Sequence, residues 1–174
     1  MKEIELSDTL KFLNFNLLGS TDKTRSSFTI SANARDSATT NVELNAQATY
    51  LPSGQTSFKL LPSRIKLEGD EWIIEKENSI LLDSNFADIN NLEITHENSE
   101  LSINGRVSEL KTDNLRVILN NFNAKLANPF LAIYGVSISG IATGESNFAG
   151  LLSQPGISSD MFIKDLGVYR DTLG

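Results

Sequence analysis

The sequence predicts an all-β fold: an elongated, curved and largely antiparallel sheet with at most one short helix. Apolar and polar residues alternate with a period of two through most of the 174 residues, and strand side chains point to opposite faces in turn. Turn-forming residues separate the alternating segments, and a single segment carries helix signals. A strand with one apolar face and one polar face is typical of an antiparallel sheet.

The alternating segments follow one another along the chain. Residues 10–18 are rich in Phe and Leu but have no clear face. The later apolar rows are, in order, Phe28 to Ala34, Val42 to Tyr50, Ile65 with Leu67, Trp72 with Ile74, Ile80 with Leu82, Leu92 with Ile94, Leu101 to Val107, Leu115 to Leu119, Val136 to Gly144, and Met161 with Ile163.

Turns are expected where Pro, Gly, Asn and Asp cluster between these rows. The clusters lie at residues 52–54, 69–71, 90–91, 112–114 and 154–156. The pair Asn90-Asn91 is therefore interpreted as a turn that separates two strands.

One short helix is expected over Asn128–Tyr134. Asn128 is suited to cap its start, Pro129 to occupy its first position, and Gly135 to follow its end. The segment is long enough for about two turns, which makes it a connector between strands.

Small residues occupy many positions of the apolar rows. They permit strong sheet curvature and close approach of neighbouring backbones, and they equally suit close packing of two sheets. The residues alone therefore leave a curved groove and a two-sheet sandwich open. These small residues are Ala32, Ala34, Ala46, Ala48, Gly105, Gly140, Ala142 and Gly144.

Composition argues against several classes of function. The net charge is −7 and the 15 basic residues are scattered singly, whereas a nucleic-acid partner requires clustered Lys and Arg. The chain has no cysteine and a single histidine, His96, so a catalytic triad or a metal site rich in His and Cys is not expected. His96 is expected to be exposed beside a turn. We expect no enzyme activity and no cofactor.

The segment 1–18 is interrupted by Glu3, Glu5, Asp8 and Lys11, so it lacks the apolar core of a signal peptide. No stretch approaches the roughly 18 apolar residues of a membrane span. The expectation is that residues 1–174 are one fragment of a longer repetitive protein. The tripeptide Glu-Asn-Ser at 77–79 and 97–99 fits either a strand–turn–strand repeat of about 20 residues or chance.

The second half of the chain has a distinctive order of sequence segments. An amphipathic strand is followed by a short connector of the form x-Pro-x-Leu, a strand of the form Gly-x-x-x-x-Gly, a segment Gly-x-x-x-x-Pro-x-Ile and a last strand. This order of segments resembles the repeated unit of the TamB family, which is related to the AsmA-like group. It covers residues 61–174 well and residues 1–60 less well. The segments that carry it are 64–67, 101–105, 115–122, 128–131, 135–140, 148–157 and 161–166.

The resemblance implies a taco-shaped sheet with an apolar lining, in the periplasm of a Gram-negative bacterium, within a longer protein anchored in the inner membrane. Such proteins are similar to bridge-like lipid carriers that serve outer-membrane biogenesis. The implied ligand is a phospholipid or another molecule with acyl chains. Other parts of the full-length protein are implied to contact an outer-membrane barrel of the insertase type, the partner in a translocation and assembly module.

If the sheet forms such a groove, its lining must be the apolar face of the strands, because register fixes every second residue inward. The alternative function is a β-sandwich interaction module, for example of an adhesin, without a ligand groove. An enzyme on a β-helix scaffold is a third and weaker interpretation. The predicted lining residues are Val42, Leu44, Ile65, Leu67, Leu101, Ile103, Leu115, Val117, Leu119, Val136 and Ile138.

Overall fold

The protein is all-β, as the alternating pattern predicts. The computed structural model describes residues 4–5, 11–34, 41–67, 69–74, 77–131 and 134–170. Within these residues, thirteen strands form one sheet, and every strand pair is antiparallel. In this described part of the chain, no helix is long and apolar enough to cross a membrane.

The strands are named in chain order. They are β1 (Ile4–Glu5), β2 (Lys11–Thr21), β3 (Arg25–Ala34), β4 (Asn41–Tyr50), β5 (Thr56–Leu60), β6 (Ser63–Leu67), β7 (Asp70–Ile74), β8 (Ser79–Leu82), β9 (Phe86–His96), β10 (Ser99–Ser108), β11 (Asn114–Asn123), β12 (Val136–Ala149) and β13 (Gly156–Arg170).

The sheet is a meander whose neighbours in space are mostly neighbours in sequence. The exception lies between β4 and β9, where two short strands replace each long one. β4 pairs with β5 along one half and with β6 along the other, while β9 pairs with β8 and, at Thr95, with β7. β5 and β6 thus behave as one strand interrupted at Leu61-Pro62, and β7 and β8 behave as a second interrupted strand.

Polar side chains form hydrogen bonds with the backbone at the interruption between β5 and β6. Leu60 donates its N–H to Asn78 Oδ1 at 2.9 Å, and Asn78 Nδ2 donates to the Leu60 carbonyl at 2.9 Å. On the other side of the gap, the Asn45 N–H donates to Ser63 Oγ at 2.9 Å. These side chains supply the hydrogen bonds that a continuous strand would have made, which satisfies the backbone at the break.

The prediction of a turn at Asn90-Asn91 is wrong. The two residues lie inside β9 and form a bulge opposite the single residue Asn104 of β10. Asn91 takes a left-handed conformation with φ of 53°, which Asn tolerates better than most residues. Its N–H donates to Asn104 Oδ1 at 2.7 Å. The actual turn between β8 and β9 lies at residues 83–85, where the Asp83 N–H donates to the Phe86 carbonyl.

The same arrangement recurs two strands further on. Asn120 and Asn121 of β11 lie opposite Thr143 of β12, Asn121 has φ of 48°, and its N–H donates to Thr143 Oγ1 at 3.1 Å. β13 shows a further register shift against β12 near Asp165, whose φ is 55°. Because bulges bend a strand and increase its twist, bulges on alternate strands curve the sheet.

The connector begins earlier than the helix predicted over Asn128–Tyr134, of which residues 132 and 133 lie outside the described residues. A 3₁₀ turn over Ala124–Ala127 is capped by Asn123, whose side chain accepts from the Lys125 N–H at 3.1 Å. It leads into a single α-helical turn, α1 (Asn128–Leu131). Asn128 does not cap this helix. Its side chain instead exchanges two hydrogen bonds with the backbone of Ile138 on β12, so the connector is fixed to the sheet.

Candidate functional site

Strand register brings all eleven predicted lining residues to one side of the sheet. Residues paired on adjacent strands share a face, and the pairs connect the candidates across the sheet. The relevant pairs are Val42 with Ile65, Ile65 with Trp72, Leu101 with Leu119, Ile103 with Val117, and Gly105 with Leu115. Leu44 and Leu67 lie two residues from Val42 and Ile65, and Val136 and Ile138 have the same parity on β12 as Ala142, which pairs with Phe122.

We call this side the apolar face and define it by Phe28, Ala46, Trp72, Ile103, Val117 and Ala142. The opposite side is the polar face, defined by Gln47, Asn104, Arg116 and Glu145. The register continues from β2 to β13. The alternation in the sequence therefore becomes one continuous apolar face rather than a set of separate patches.

Contacts between side chains show that the apolar face is concave. The ring centroids of Trp72 on β7 and Phe122 on β11 lie 5.4 Å apart. Three steps between neighbouring strands separate β7 from β11, which is about 14 Å in a flat sheet. The two rings meet because the sheet bends toward this face. His96 on β9, between them, lies 5.4 Å from the Trp72 ring.

The buried centre of the apolar face is small. Its large and well-buried side chains are Trp72, Ile74 and Leu92, and it is completed by alanines such as Ala46 and Ala48. The eleven predicted lining residues are all half-buried. A closed two-sheet core would bury most of them fully, since interiors are closely packed. The described strands form one sheet, so the two-sheet arrangement of the sandwich interpretation is not formed.

Trp72, Ile74, Leu92 and Phe122 were not among the predicted lining residues, although they occupy the centre of the apolar face. Trp72 and Ile74 belong to an alternating row, and Trp72 is the only tryptophan. These two signals could have identified the centre. Phe122 could not have been placed from simple alternation, because the Asn120-Asn121 bulge shifts its phase.

Glycines let strands come close together at two points of the apolar face. A Cβ on Gly105 would lie 2.1 Å from the Asn114 carbonyl oxygen, and a Cβ on Gly144 would lie 2.2 Å from the Asp160 carbonyl oxygen. Both residues have positive φ, 116° and 140°. Only glycine fits such a backbone and such an approach, so the small residues in these rows serve close approach between strands.

On the polar face, ion pairs link neighbouring strands. Arg106 Nη2 donates to Asp88 Oδ2 at 2.7 Å, and its guanidinium lies 4.4 Å from the centre of the Phe86 ring. Arg116 donates from Nε and Nη2 to Glu145 Oε2. The hydrogen bond from Arg116 and its positive charge lower the pKa of Glu145 below its ordinary value.

Open depressions lie at three places along the described part of the sheet, one of them about 450 Å³ in volume beside the β9–β10 turn. One of about 560 Å³ lies beside the strand break, bordered by Phe28 and Ala46 as well as by Thr29, Asn45 and Pro62. Another of about 340 Å³ is bordered by Glu43, Ser63, Arg64 and Ile73, among others. None of the eleven predicted lining residues borders these three depressions.

His96 lies beside the turn that ends β9, as predicted, but it is half-buried rather than exposed. Its side chain is 20 % exposed, and Nδ1 lies 2.9 Å from the Glu71 carbonyl oxygen. The His96 ring is tilted by 38° against the Trp72 ring, because Trp72 on β7 and His96 at the end of β9 lie on the same face of the sheet. Within the described residues, no group of three or more His, Cys, Asp and Glu side chains could hold a metal ion.

Comparisons with protein families, with curated proteins and with solved structures found no match.

Proposed function

We propose that the concave apolar face shields and conducts the acyl chains of phospholipids, without making or breaking covalent bonds. The observation that carries this proposal is the continuous register of half-buried apolar side chains over a single curved sheet. An acyl chain gains about 0.8 kcal/mol for each methylene that it removes from water. Because the described strands place no row of charged residues on this face, a chain can shift along it without crossing a polar barrier.

We also propose the setting that the TamB resemblance implies. In this proposal the chain is a periplasmic segment of a longer, inner-membrane-anchored protein that moves phospholipid between the two membranes of a Gram-negative envelope. The barrel partner would be contacted by other parts of that protein. The curved sheet and its apolar face support this setting by their shape and chemistry alone.

The test places a photo-reactive amino acid at Val117 and, as the matched control, at Ile118. These neighbours are both β-branched and half-buried, but Val117 pairs with Ile103 on the apolar face and Ile118 pairs with Ser102 on the polar face. After illumination with phospholipid vesicles, we expect lipid adducts at Val117 and few at Ile118, measured by mass spectrometry. Equal labelling, or none at either position, contradicts the proposal.

A further inference from the structure

One row of residues crosses the apolar face from β5 to β12 without interruption. Each member is paired directly with the next on the neighbouring strand. All members are half-buried, and none has a polar side chain. We call this the Gly105 row, and its members in order are Phe58, Ile80, Ile89, Gly105, Leu115 and Phe148.

The row nearer the β9–β10 turn is different. There Trp72 lies beside His96, and His96 pairs with Ser99, so polar side chains stand in the middle of that row. The Trp72 and Phe122 rings meet over the strands between them, with centroids 5.4 Å apart. The protein's own side chains therefore cover this half of the apolar face.

Burial follows the same division. The large apolar side chains that the described part of the sheet buries are Trp72, Ile74 and Leu92, and none of them belongs to the Gly105 row. Leu82, which lies two residues from Ile80 on the same face, is 38 % exposed. The half of the apolar face that carries the Gly105 row is thus the more accessible one.

We propose that the Gly105 row is the track on which an acyl chain lies, and that the contact between Trp72 and Phe122 is a ridge that keeps the chain off the other half of the face. This inference rests on the proposed function, because it takes an acyl chain as the ligand. The residues that it newly assigns to ligand contact are Phe58, Ile80, Ile89 and Phe148.

The length of the Gly105 row fits this ligand. Five steps between neighbouring strands separate β5 from β12, which is about 24 Å along the sheet. One acyl chain fills half of a hydrocarbon core about 30 Å thick, or about 15 Å. The row is longer than one chain, so a chain can advance along it while it stays on apolar side chains.

Gly105 keeps the middle of the track low. A Cβ at this position would lie 2.1 Å from the Asn114 carbonyl oxygen, so the close approach of β10 and β11 requires glycine. Its paired neighbours Ile89 and Leu115 carry large side chains on either side. The result is a shallow hollow at the centre of the row, where a chain can lie close to the backbone.

The test places a photo-reactive amino acid at Ile89 and, as the matched control, at Ile94. Both are half-buried isoleucines of β9 on the apolar face, but Ile89 pairs with Gly105 and Ile94 pairs with Leu101 on the covered half. After illumination with phospholipid vesicles, we expect at least about four times more lipid adducts at Ile89, the ratio that one additional buried methylene gives.

A second measurement removes the ridge. Phe122→Ala should raise the adducts at Ile94 toward the level at Ile89, because the ring that covers this half is lost. Phe86→Ala is the matched control, since it removes the same ring from the polar face beside Arg106, and it should leave Ile94 unlabelled. Phe122→Leu repeats the test with a smaller loss of packing, and far-UV circular dichroism checks that each variant is folded.

Labelling at Val117 separates the two proposals. Absence of lipid adducts at Val117 contradicts the proposed function itself. Adducts at Val117 together with equal labelling of Ile89 and Ile94 overturn the track and the ridge alone. The ridge is also overturned if the folded Phe122→Ala and Phe122→Leu proteins leave Ile94 without adducts. The comparison of Ile89 with Ile94 needs neither variant, so it stands whatever the stability of those proteins.

Discussion

The rings of Trp72 and Phe122 are in contact, with centroids 5.4 Å apart, although two strands lie between β7 and β11. This contact stabilises the bend of the sheet at the centre of the apolar face. Trp72 is 3 % exposed, and its buried Nε1 has no hydrogen-bond partner in the described part of the chain. The packing of the Trp72 ring, rather than a hydrogen bond from its N–H, therefore accounts for its position.

We predict that Trp72→Ala lowers the free energy of unfolding by about 3–5 kcal/mol, because it removes a large buried side chain. Trp72→Phe should cost much less, since the ring contact with Phe122 can persist and an unsatisfied N–H is removed. Urea denaturation measures both values. Equal losses for the two variants would show that the ring contact does not stabilise the curved sheet.

A second prediction concerns the interrupted strand. Asn78 is 4 % exposed and makes both backbone hydrogen bonds of Leu60. Asn78→Ala leaves these half-buried backbone groups of Leu60 unpaired and should lower the free energy of unfolding by about 1–3 kcal/mol. Asn98→Ala is the control from the other Glu-Asn-Ser segment, which forms the exposed β9–β10 turn, and it should change stability by less than about 0.5 kcal/mol.

A third prediction concerns close approach between β12 and β13. Gly144→Ala places a Cβ 2.2 Å from the Asp160 carbonyl oxygen, at a φ of 140°, and should destabilise the protein by about 1–3 kcal/mol. Gly156→Ala is the control, because a Cβ there meets nothing within 4 Å and its φ is not positive. Thermal unfolding of the two variants should differ clearly. Similar melting temperatures would contradict the role given to Gly144.

Alternation predicted the fold class and the face on which the lining residues lie. It succeeded because register preserves parity along a strand, as for Val42 with Ile65 and Ile103 with Val117. It failed at Asn90-Asn91, because Asn favours both turns and the left-handed residue of a bulge. The bulge is identified by the hydrogen bond that Asn104 Oδ1 accepts from the Asn91 N–H, and only the folded register brings Asn104 near.

The centre of the site was less predictable for a related reason. The contact of Trp72 with Phe122 depends on curvature, which arises from bulges on several strands together. The part played by Asn78 depends on a strand break that Pro62 suggests but does not define. Asn128 shows the same limitation, because its amide serves Ile138 across the connector rather than the helix that follows it.

The most direct test of the apolar face compares two adjacent residues of β10. Ile103 lies on the apolar face, and Asn104 lies on the polar face opposite Arg116. Asn104→Asp keeps the acceptor for the Asn91 N–H, so it adds the same charge as Ile103→Asp with little structural cost. Val117→Asp repeats the change on the neighbouring strand. Binding of a fluorescent fatty acid and the melting temperature are measured for each variant.

If the apolar face is open to ligand, the Ile103→Asp protein remains folded with a melting temperature lowered by about 2–8 °C, equivalent to about 1–2 kcal/mol in a chain of this size. It then loses fatty-acid binding, while Asn104→Asp keeps it. If the face is instead a sealed core, the buried charge costs several kcal/mol more. Unfolding of both Ile103→Asp and Val117→Asp, or fatty-acid binding that neither change reduces, would contradict the account.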